Sequence, residues 1–386
     1  GQFGIRSHSD GNWDNKIPVQ TRSERFKSFE VKDFPSITGR EAFWKFTPIA
    51  EIEDLANGEL DGSAYPFALS EDAYTRCEWI SREDTRIGTA GIPEDRVSAN
   101  AWSQFDQALH LELSGVQGAE IVLSRNELGK SARAAHTLIT AKAHSNNIVV
   151  IDNQGSANIA ENLEVVLEDN AQLTVISVHN WDEDAHQLAS HFARVGRDAQ
   201  FTHIVVSFGG RIVRVNPSTW LAESGASTEM FGLYFADAHQ HLEHQVFVHH
   251  DAPHSRSRVS YKGALQGTGA HTVWIGDVLI ARSAPGTDSY EENRNLMLTD
   301  GTRADSIPNL EIETGDIAGA GHASATGRFD DEQLFYLQAR GIPEEEARRL
   351  VVHGFLQEII TKIPSEHYRE LLGEQLEREI AEEPIR

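Results

Sequence analysis

The amino-acid sequence predicts a mainly β protein, in which a long β-solenoid is flanked by an N-terminal mixed or helical segment and a C-terminal helical segment. Three observations support this fold class. Apolar residues alternate with polar ones through the middle of the chain, a turn-like punctuation returns at intervals of about 27 residues, and the apolar period changes to three and four near the C-terminus. The corresponding segments are residues 1–104, 105–327 and 328–386.

The composition excludes several classes of function. The chain has 386 residues and a formal net charge of −25, so its surface should repel nucleic acids and anionic membranes. Its apolar runs, such as residues 148–151, are much shorter than the roughly 18 residues needed to span a bilayer. The N-terminal residues contain no apolar signal segment. Cys77 is the only cysteine, which excludes an internal disulfide and a cysteine-rich metal site within one chain. These features predict a cytoplasmic protein.

The N-terminal segment, residues 1–104, is charged and irregular in pattern. A short helix is predicted at residues 36–46, with Ser36 as its N-cap. Three aromatic side chains would dock this helix on the rest of the protein: Phe43, Trp44 and Phe46.

The core segment, residues 105–327, is predicted to consist of short strands. Every second residue is apolar in several runs, which is the period of a strand with one buried face. Each run ends in glycine, asparagine or aspartate. Examples of the alternation are Leu109, Leu111 and Leu113, then Leu163, Val165 and Leu167.

Several predicted strands begin with a turn residue followed by alanine. Ala171, Ala199 and Ala226 follow one another at a spacing of about 27 residues, and Ala157 precedes Ala171 by roughly half of that spacing. A unit of about 27 residues that divides into two halves is typical of one coil of a β-solenoid. Ala270 follows Ala226 only after about 44 residues and breaks the period. A jelly roll or β-sandwich therefore stays open as an alternative.

The C-terminal segment, residues 328–386, is predicted to be helical. Asp330 and Gln333 resemble a capping box, and Gly341 should end the first helix. Pro343 occupies the first position of a second helix. The apolar stripe of that helix either packs on the β core, which the sequence favours, or docks a partner. Its members are Ala347, Leu350, Val351, Phe355 and Ile359.

The most conspicuous candidate site is a histidine cluster between residues 239 and 254. Grouped imidazoles can bind a transition metal, which would make the chain an independent metal-binding protein. Because alternate strand positions face opposite sides of a sheet, hydrogen-bonded or solvated strand histidines are the competing interpretation. The cluster comprises His239, His241, His244, His249, His250 and His254.

Two other groups are candidates. His322 lies among small residues in the segment 319–327, where it is either accessible to a ligand or part of a tight turn. Asp288, Glu291 and Glu292 surround Tyr290, as in a polysaccharide-acting β-helix enzyme, although a polar loop is the default interpretation. No nucleophile elbow, zinc-protease motif or Walker loop occurs in the sequence.

Several segments resemble the SufB/SufD family of iron–sulfur cluster assembly scaffold proteins. The most specific is residues 328–342, which read RFDDEQLFYLQARGI. Further similarity lies in NRNLML at 293–298, PNLEI at 308–312, HASAT at 322–326 and WKFTP at 44–48. The matches extend from about residue 40 to residue 380. The length and the near absence of cysteine favour a SufD-like over a SufB-like member.

The resemblance implies a right-handed parallel β-helix that acts as a non-catalytic scaffold. Members of this type pair with a SufB-like chain through the end of the β-helix and bind a SufC-like ABC-type ATPase through the C-terminal helices. A homodimer of the isolated chain is a further option. The candidate contacts with the ATPase are Phe335, Gly341, Ala347, Leu350, Val351 and Phe355.

The resemblance also implies a cluster ligand. A histidine just before the C-terminal helices contributes to the site between SufB and SufD, and His322 is the matching residue. Neutral imidazole is a suitable iron ligand. Some members have a cysteine two positions earlier, where this chain has Ala320. We therefore expect no tightly bound cofactor on this chain alone, and a transient iron or iron–sulfur cluster at the interface with the SufB-like partner.

Overall fold

The computed structural model describes residues 22–329 and 331–381. Eighteen strands occur within these ranges. The strands are β1 Ala68–Leu69, β2 Thr75–Ser81, β3 Gln107–Leu113, β4 Ala119–Arg125, β5 Arg133–Ala141, β6 Asn146–Gly155, β7 Asn158–Leu167, β8 Gln172–Trp181, β9 His186–Val195, β10 Gln200–Ser207, β11 Ile212–Leu221, β12 Ser227–Ala236, β13 His241–His250, β14 Arg256–Leu265, β15 His271–Ile280, β16 Thr287–Met297, β17 Arg303–Ile312 and β18 Ile317–Arg328. The α-helices are α1 Glu53–Asn57, α2 Arg96–Gln104, α3 Asp331–Ala339, α4 Glu344–Ile360 and α5 Glu366–Ala381.

The strands form two nine-stranded sheets that the chain visits in turn. Sheet A has the order β17-β15-β13-β11-β9-β7-β5-β3-β2, and sheet B has the order β1-β4-β6-β8-β10-β12-β14-β16-β18. All neighbours are parallel except the pairs β1/β4 and β2/β3. Strands that alternate between two parallel sheets make a β-solenoid, which confirms the predicted fold class. Jelly rolls and sandwiches are antiparallel and are excluded.

The register explains both the repeat and its interruption. Gln172 pairs with Gln200, and Gln200 pairs with Ser227. One coil therefore takes about 27 residues at this point, as expected for a short structural repeat. Ala226 precedes β12 in sheet B, whereas Ala270 precedes β15 in sheet A. The longer spacing between these two alanines therefore spans one and a half coils, and the period is not broken.

The turn residue before each alanine is a corner of the coil. Asn170, Asp198 and Gly225 all have positive φ angles, of 58°, 54° and 75°. Asparagine, aspartate and glycine tolerate this left-handed backbone better than other residues do. The alanine that follows is fully buried at the corner.

The N-terminal segment covers the outer face of sheet A, but the helix predicted at residues 36–46 is wrong. The chain forms one hydrogen-bonded turn there, with the backbone N–H of Lys45 donating to the carbonyl of Glu41 at 2.9 Å. Gly39, with a φ of 82°, and Pro48 confine it to that turn. The predicted docking is nevertheless present, since Trp44 is 2% exposed and stacks against the Arg214 guanidinium.

The C-terminal helices cover the outer face of sheet B. Side chains of α4 and α5 pack against strand residues such as Val206, Phe231 and Phe235. The first tail helix ends near Gly341, which has a φ of 84°. Asp330, the predicted capping residue, lies outside the described residues. No helix in the described part of the chain is long and apolar enough to cross a membrane.

Candidate functional site

One end of the solenoid is open. β17 is the last strand of sheet A and β18 is the last strand of sheet B, so each has a neighbour on one side only among the described residues. Most of β18 is exposed, and β17 is half-buried except at its exposed first residue, Arg303. Edge strands with free N–H and C=O groups are ready to pair with another chain.

His322 lies on this open edge. The glycine-rich segment that surrounds it is a strand, β18, and not a turn. In the register of β16 and β18, His322 lies beside Glu291, and Ser324 lies beside Asn293. Glu291 and Asn293 belong to the inward-facing row of β16, whose members are buried. The register therefore places His322, which is exposed, at the mouth of the lumen directly above Glu291.

Glu291 is an unusual group to find in this position. Its side chain is buried, and neither carboxyl oxygen has a hydrogen-bond partner among the described residues. A Cβ atom added at Gly276 would lie 2.7 Å from Glu291 Oε2 and 2.2 Å from the Trp274 ring, so this glycine leaves the room that both side chains occupy. Burial raises the pKa of Glu291 well above its usual range.

A chain of hydrogen bonds leads inward from the same mouth. Asn295 donates to the Thr326 hydroxyl at 3.2 Å and to Asn293 Oδ1 at 2.8 Å. Asn293 in turn donates to the Tyr234 hydroxyl at 2.9 Å, and Tyr234 donates to Asn295. The interior of the last two coils thus contains hydrogen-bonded polar side chains beside apolar ones such as Trp274 and Val278.

A shallow cavity of about 520 Å³ lies at the mouth, beside the exposed part of β18. It is lined by Lys45, Phe46, Arg303, Ala304, Asp305, Ser306, Ile307, Ser324 and Thr326.

The three carboxylates near Tyr290 do not form a catalytic pair. They belong to strand β16, so the default interpretation as a polar loop is wrong. Glu291 faces the lumen, whereas Asp288 bonds to Arg258 and Glu292 accepts from Ser260 on the outer face. Alternation along the strand separates them, and the geometry does not favour a polysaccharide-acting enzyme.

The structure does not bring the clustered histidines together. His241 bonds to Glu243 beneath the N-terminal segment, while His244 and His250 face the lumen. His249 is half-buried on the outer face, next to Asp251. The remaining two, His239 and His254, are corner residues with φ angles of 65° and 56°. Within residues 22–329 and 331–381, no three histidine, cysteine or acidic side chains are arranged to hold a metal.

Sequence reasoning missed that histidines also line the lumen. Each of these rings is buried and bonded to a neighbouring polar group; for example, His191 Nδ1 and His203 Nε2 are 3.0 Å apart. Burial lowers the pKa of His203 and of His244 to about 3, and that of His179 to about 4. The group comprises His179, His191, His203, His244 and His250.

We expect the fold to lose stability as the pH falls below about 6.5. Burial keeps the lumen histidines unprotonated in the folded state. The same histidines bind protons in the unfolded chain once the pH falls below their ordinary pKa of 6.5. Each such proton changes the free energy of unfolding by up to about 1.4 kcal/mol per pH unit, so five histidines outweigh the opposite effect of Glu291. Urea unfolding midpoints at pH 7, 6 and 5 measure this dependence.

The His203→Gln variant provides the comparison, since it removes one of the five titrating groups. Its unfolding midpoint should depend less steeply on pH than that of the wild type. A wild-type midpoint that is flat between pH 7 and pH 5 would contradict the assignment of neutral lumen histidines.

The C-terminal helices present an apolar surface to solvent. The stripe that packs on sheet B agrees with the predicted one only in part. Ala347 and Ile359 are buried as predicted, but the other buried residues of α4 are Val352, Leu356 and Ile360. The helix is rotated relative to the prediction, so Leu350 is 41% exposed and Phe335, on α3, is 73% exposed. We refer to Phe335, Tyr336 and Leu350, all exposed, as the tail patch.

The other predicted partner contacts differ in accessibility. Ala347 is fully buried, so it packs within the protein and is not available to a partner. Val351 and Phe355 are half-buried, and the Phe355 ring lies beneath the Lys262 ammonium. Gly341 is exposed at the end of the first tail helix.

Cys77 lies far from this site. It is on β2, the first strand of sheet A, whereas β17 is the last. Eight inter-strand steps of ~4.8 Å separate the two ends, a distance of about 38 Å. Burial raises the pKa of the Cys77 thiol, so it is not an activated thiolate.

These features define a class of protein: a parallel β-solenoid with one open end, a histidine at that end, and a helical appendage with an exposed apolar patch. Residues 123–355 match the SufBD core domain of the SUF system for FeS cluster assembly. The chain belongs to the SufBD family.

Individual relatives agree with this membership. An iron–sulfur cluster assembly SufBD family protein of Mycobacterium bovis is 46% identical over 373 residues, which cover 94% of each chain. A protein of the same description from Mycobacterium leprae is 45% identical over 377 residues, covering 95% of this chain and 96% of the relative. A second such protein of Mycobacterium bovis is 28% identical over 209 residues, covering 54% of this chain and 24% of that protein.

Proposed function

We propose that this chain is the SufD-like scaffold subunit of a SUF iron–sulfur cluster assembly complex. In this proposal the open end of the solenoid pairs with a SufB-like chain, and the helical tail binds a SufC-like ABC-type ATPase. The chain itself is non-catalytic, and it acts in the cytoplasm. Nucleotide hydrolysis in the ATPase moves the helical tail and, through it, the subunit interface at which an iron–sulfur cluster forms.

One observation carries the proposal: the candidate ligand and the single cysteine lie at opposite ends of the molecule. His322 is exposed on the last strand of sheet B, about 38 Å from the strand that contains Cys77. Iron–sulfur clusters are held mainly by cysteine thiolates. Any thiolate beside His322 must therefore come from another chain, and the free strand edges provide the place for that chain to pair.

Two further observations support the assignment to a heteromeric complex. The tail patch leaves three large apolar side chains in solvent, and exposed apolar patches mark interaction sites. Mycobacterium bovis contains two different SufBD family proteins, and this chain resembles one of them over nearly its whole length. A pair of unequal family members is what a SufB–SufD interface requires.

Co-expression tests the complex directly. The tagged chain is produced together with a SufB-like chain and an ABC-type ATPase of the same genome, and the purified material is analysed by mass. We expect all three chains to be recovered in one assembly. A homodimer of the tagged chain, or a monomer that captures neither protein at micromolar concentration, would contradict the proposal.

Substitution of His322 tests the ligand. We expect His322→Ala to leave the thermal unfolding temperature within about 2 °C of the wild type, because the side chain is exposed on an edge strand. The iron and sulfide content of the reconstituted complex should fall to less than half. His367→Ala, which removes an exposed histidine from α5, is the control and should leave both contents unchanged. Unchanged iron and sulfide in the His322 variant would reject the proposed ligand.

A further inference from the structure

The strongest unexplained feature of the open end is Glu291. Buried ionisable groups are normally paired or hydrogen-bonded, since leaving one without a partner costs free energy. Glu291 is 1% exposed, and both of its carboxyl oxygens have no partner among the described residues. The other inward-facing polar residues of β16, such as Asn293 and Asn295, are all hydrogen-bonded. The carboxyl of Glu291 is therefore positioned for something that the chain itself does not supply.

The surroundings of Glu291 define the missing group. One rung above it in the register is His322, and parallel strands lie ~4.8 Å apart, so the two residues are neighbours on the inward-facing row at the mouth of the lumen. Gly276 makes room for the carboxyl, because any side chain there would overlap with Glu291 and Trp274. Carboxylate oxygens and imidazole nitrogens are usual protein ligands of a divalent transition metal, with bonds of about 2.0–2.2 Å, and neighbouring rungs place one of each at the mouth.

We propose that Glu291 and His322 together bind a divalent transition-metal ion at the mouth of the lumen, with the remaining ligands supplied by water or by the chain that pairs with this end. The proposal deepens the proposed function, since it adds a carboxylate from this chain to a site to which the resemblance assigns only a histidine. The proposed ligand is a single metal ion and not a cluster. The carboxylate would therefore bind iron before or during its delivery to the site of cluster formation.

Neighbouring groups favour a cation over an anion at this point. Asp277, on the next strand position after Gly276, lies on the outer face of β15, where its carboxylate pairs with Arg22 at 3.1 Å and accepts from Asn309 at 2.7 Å. The nearest cations of the mouth have other partners: Arg303 bonds to Asp305, and Lys45 lies against the Phe46 ring. These charged groups are thus paired on the outer side of the mouth, whereas the carboxyl of Glu291 on the lumen side has no partner among the described residues.

Co²⁺ is a suitable probe, because its absorption spectrum reports the ligands and it does not oxidise as readily as Fe²⁺. The full chain is titrated with Co²⁺ and monitored by absorption and by thermal unfolding. We expect wild type to bind one ion and to unfold at a higher temperature when Co²⁺ is present. Glu291→Gln and His322→Ala should each weaken binding at least tenfold, and the double variant should be little weaker than either single variant, because both residues serve one site.

Two further variants keep the test decisive. Glu291→Met replaces the buried carboxyl by an apolar side chain of similar volume, so it should fold at least as stably as wild type without metal and lose the Co²⁺-induced thermal shift. Glu292→Gln changes the adjacent carboxylate on the outer face, which accepts a hydrogen bond from Ser260, and should bind Co²⁺ as wild type does. The proposal is overturned if wild type shows no Co²⁺ binding, or if Glu291→Met retains the thermal shift.

Capture of the ATPase by the same variants separates this proposal from the broader one. Glu291→Met and His322→Ala should capture it as wild type does. The tail patch belongs to the C-terminal helices α3 and α4, whereas both substituted residues are on strands of the solenoid. Co²⁺ binding that depends on Glu291 without any capture by wild type would sink the scaffold function and leave the metal site standing. Normal capture of the ATPase by wild type, together with Co²⁺ binding that does not change when Glu291 is substituted, would support the scaffold function and reject the metal site.

Discussion

A Phe335→Asp variant is expected to lose capture of the ABC-type ATPase. Phe335 is 73% exposed on α3, and Leu350 on α4, which also belongs to the tail patch, is 41% exposed. Aromatic anchors at the centre of an interface contribute about 2–4 kcal/mol, and a charge in their place adds a desolvation cost. We therefore expect the affinity to fall by roughly 30-fold to 1000-fold, measured by calorimetry or by surface-immobilised capture.

The fold of this variant should be unaffected, because the side chain that is removed lies in solvent. Tyr74→Asp is a matched control: Tyr74 is also a large exposed aromatic residue, 64% exposed, and lies beside β2 at the opposite end of sheet A. It should bind the ATPase as wild type does. Equal affinity of the Phe335 and Tyr74 variants would show that the tail patch is not the docking surface.

The second large effect is expected at a buried ion pair inside the solenoid. The Arg125 guanidinium donates two hydrogen bonds to the Glu161 carboxylate, at 2.8 and 3.0 Å, and both side chains are inaccessible to solvent. Arg125 lowers the pKa of Glu161 despite its burial. Arg125→Leu leaves that carboxylate without its counter-charge. We expect the free energy of unfolding to fall by about 3–5 kcal/mol, as determined from chemical denaturation at pH 7.

The double variant Arg125→Leu/Glu161→Leu distinguishes an uncompensated charge from lost packing. It removes both charges and fills much of the same volume, so most of the lost stability should return. Gln187, which donates to Glu161 at 2.9 Å, loses one acceptor in this variant but keeps its bonds with His179 and Trp181. If the double variant is as unstable as Arg125→Leu, the loss of stability comes from lost packing and hydrogen bonds and not from an uncompensated charge.

The candidate site could be predicted from the sequence only in part. The segment around His322 stood out because a single histidine is placed among small residues, and the family resemblance assigned it a role. The sequence indicated Glu291 only as one of three neighbouring carboxylates of a candidate catalytic group, which the structure does not form. The alternation from residue 289 to 295, with every second residue polar and small or acidic, was the signal that these residues form a strand with a polar inner face.

The sequence by itself determined the solenoid, its corners and the helical tail. Each coil repeats the same local pattern: a residue that tolerates positive φ, a small corner residue, and a strand with alternating polarity. This pattern depends only on a few neighbouring residues, so it can be recognised in the sequence. Only the tertiary structure decided which residues lie beside one another across the rungs, because the length of the last coil and the irregularity at Thr287/Asp288 set the register that places His322 beside Glu291. The free face of α4 was likewise decided by packing: periodicity defines an apolar stripe, but the contact with sheet B selects which side chains are buried and leaves Leu350 in solvent.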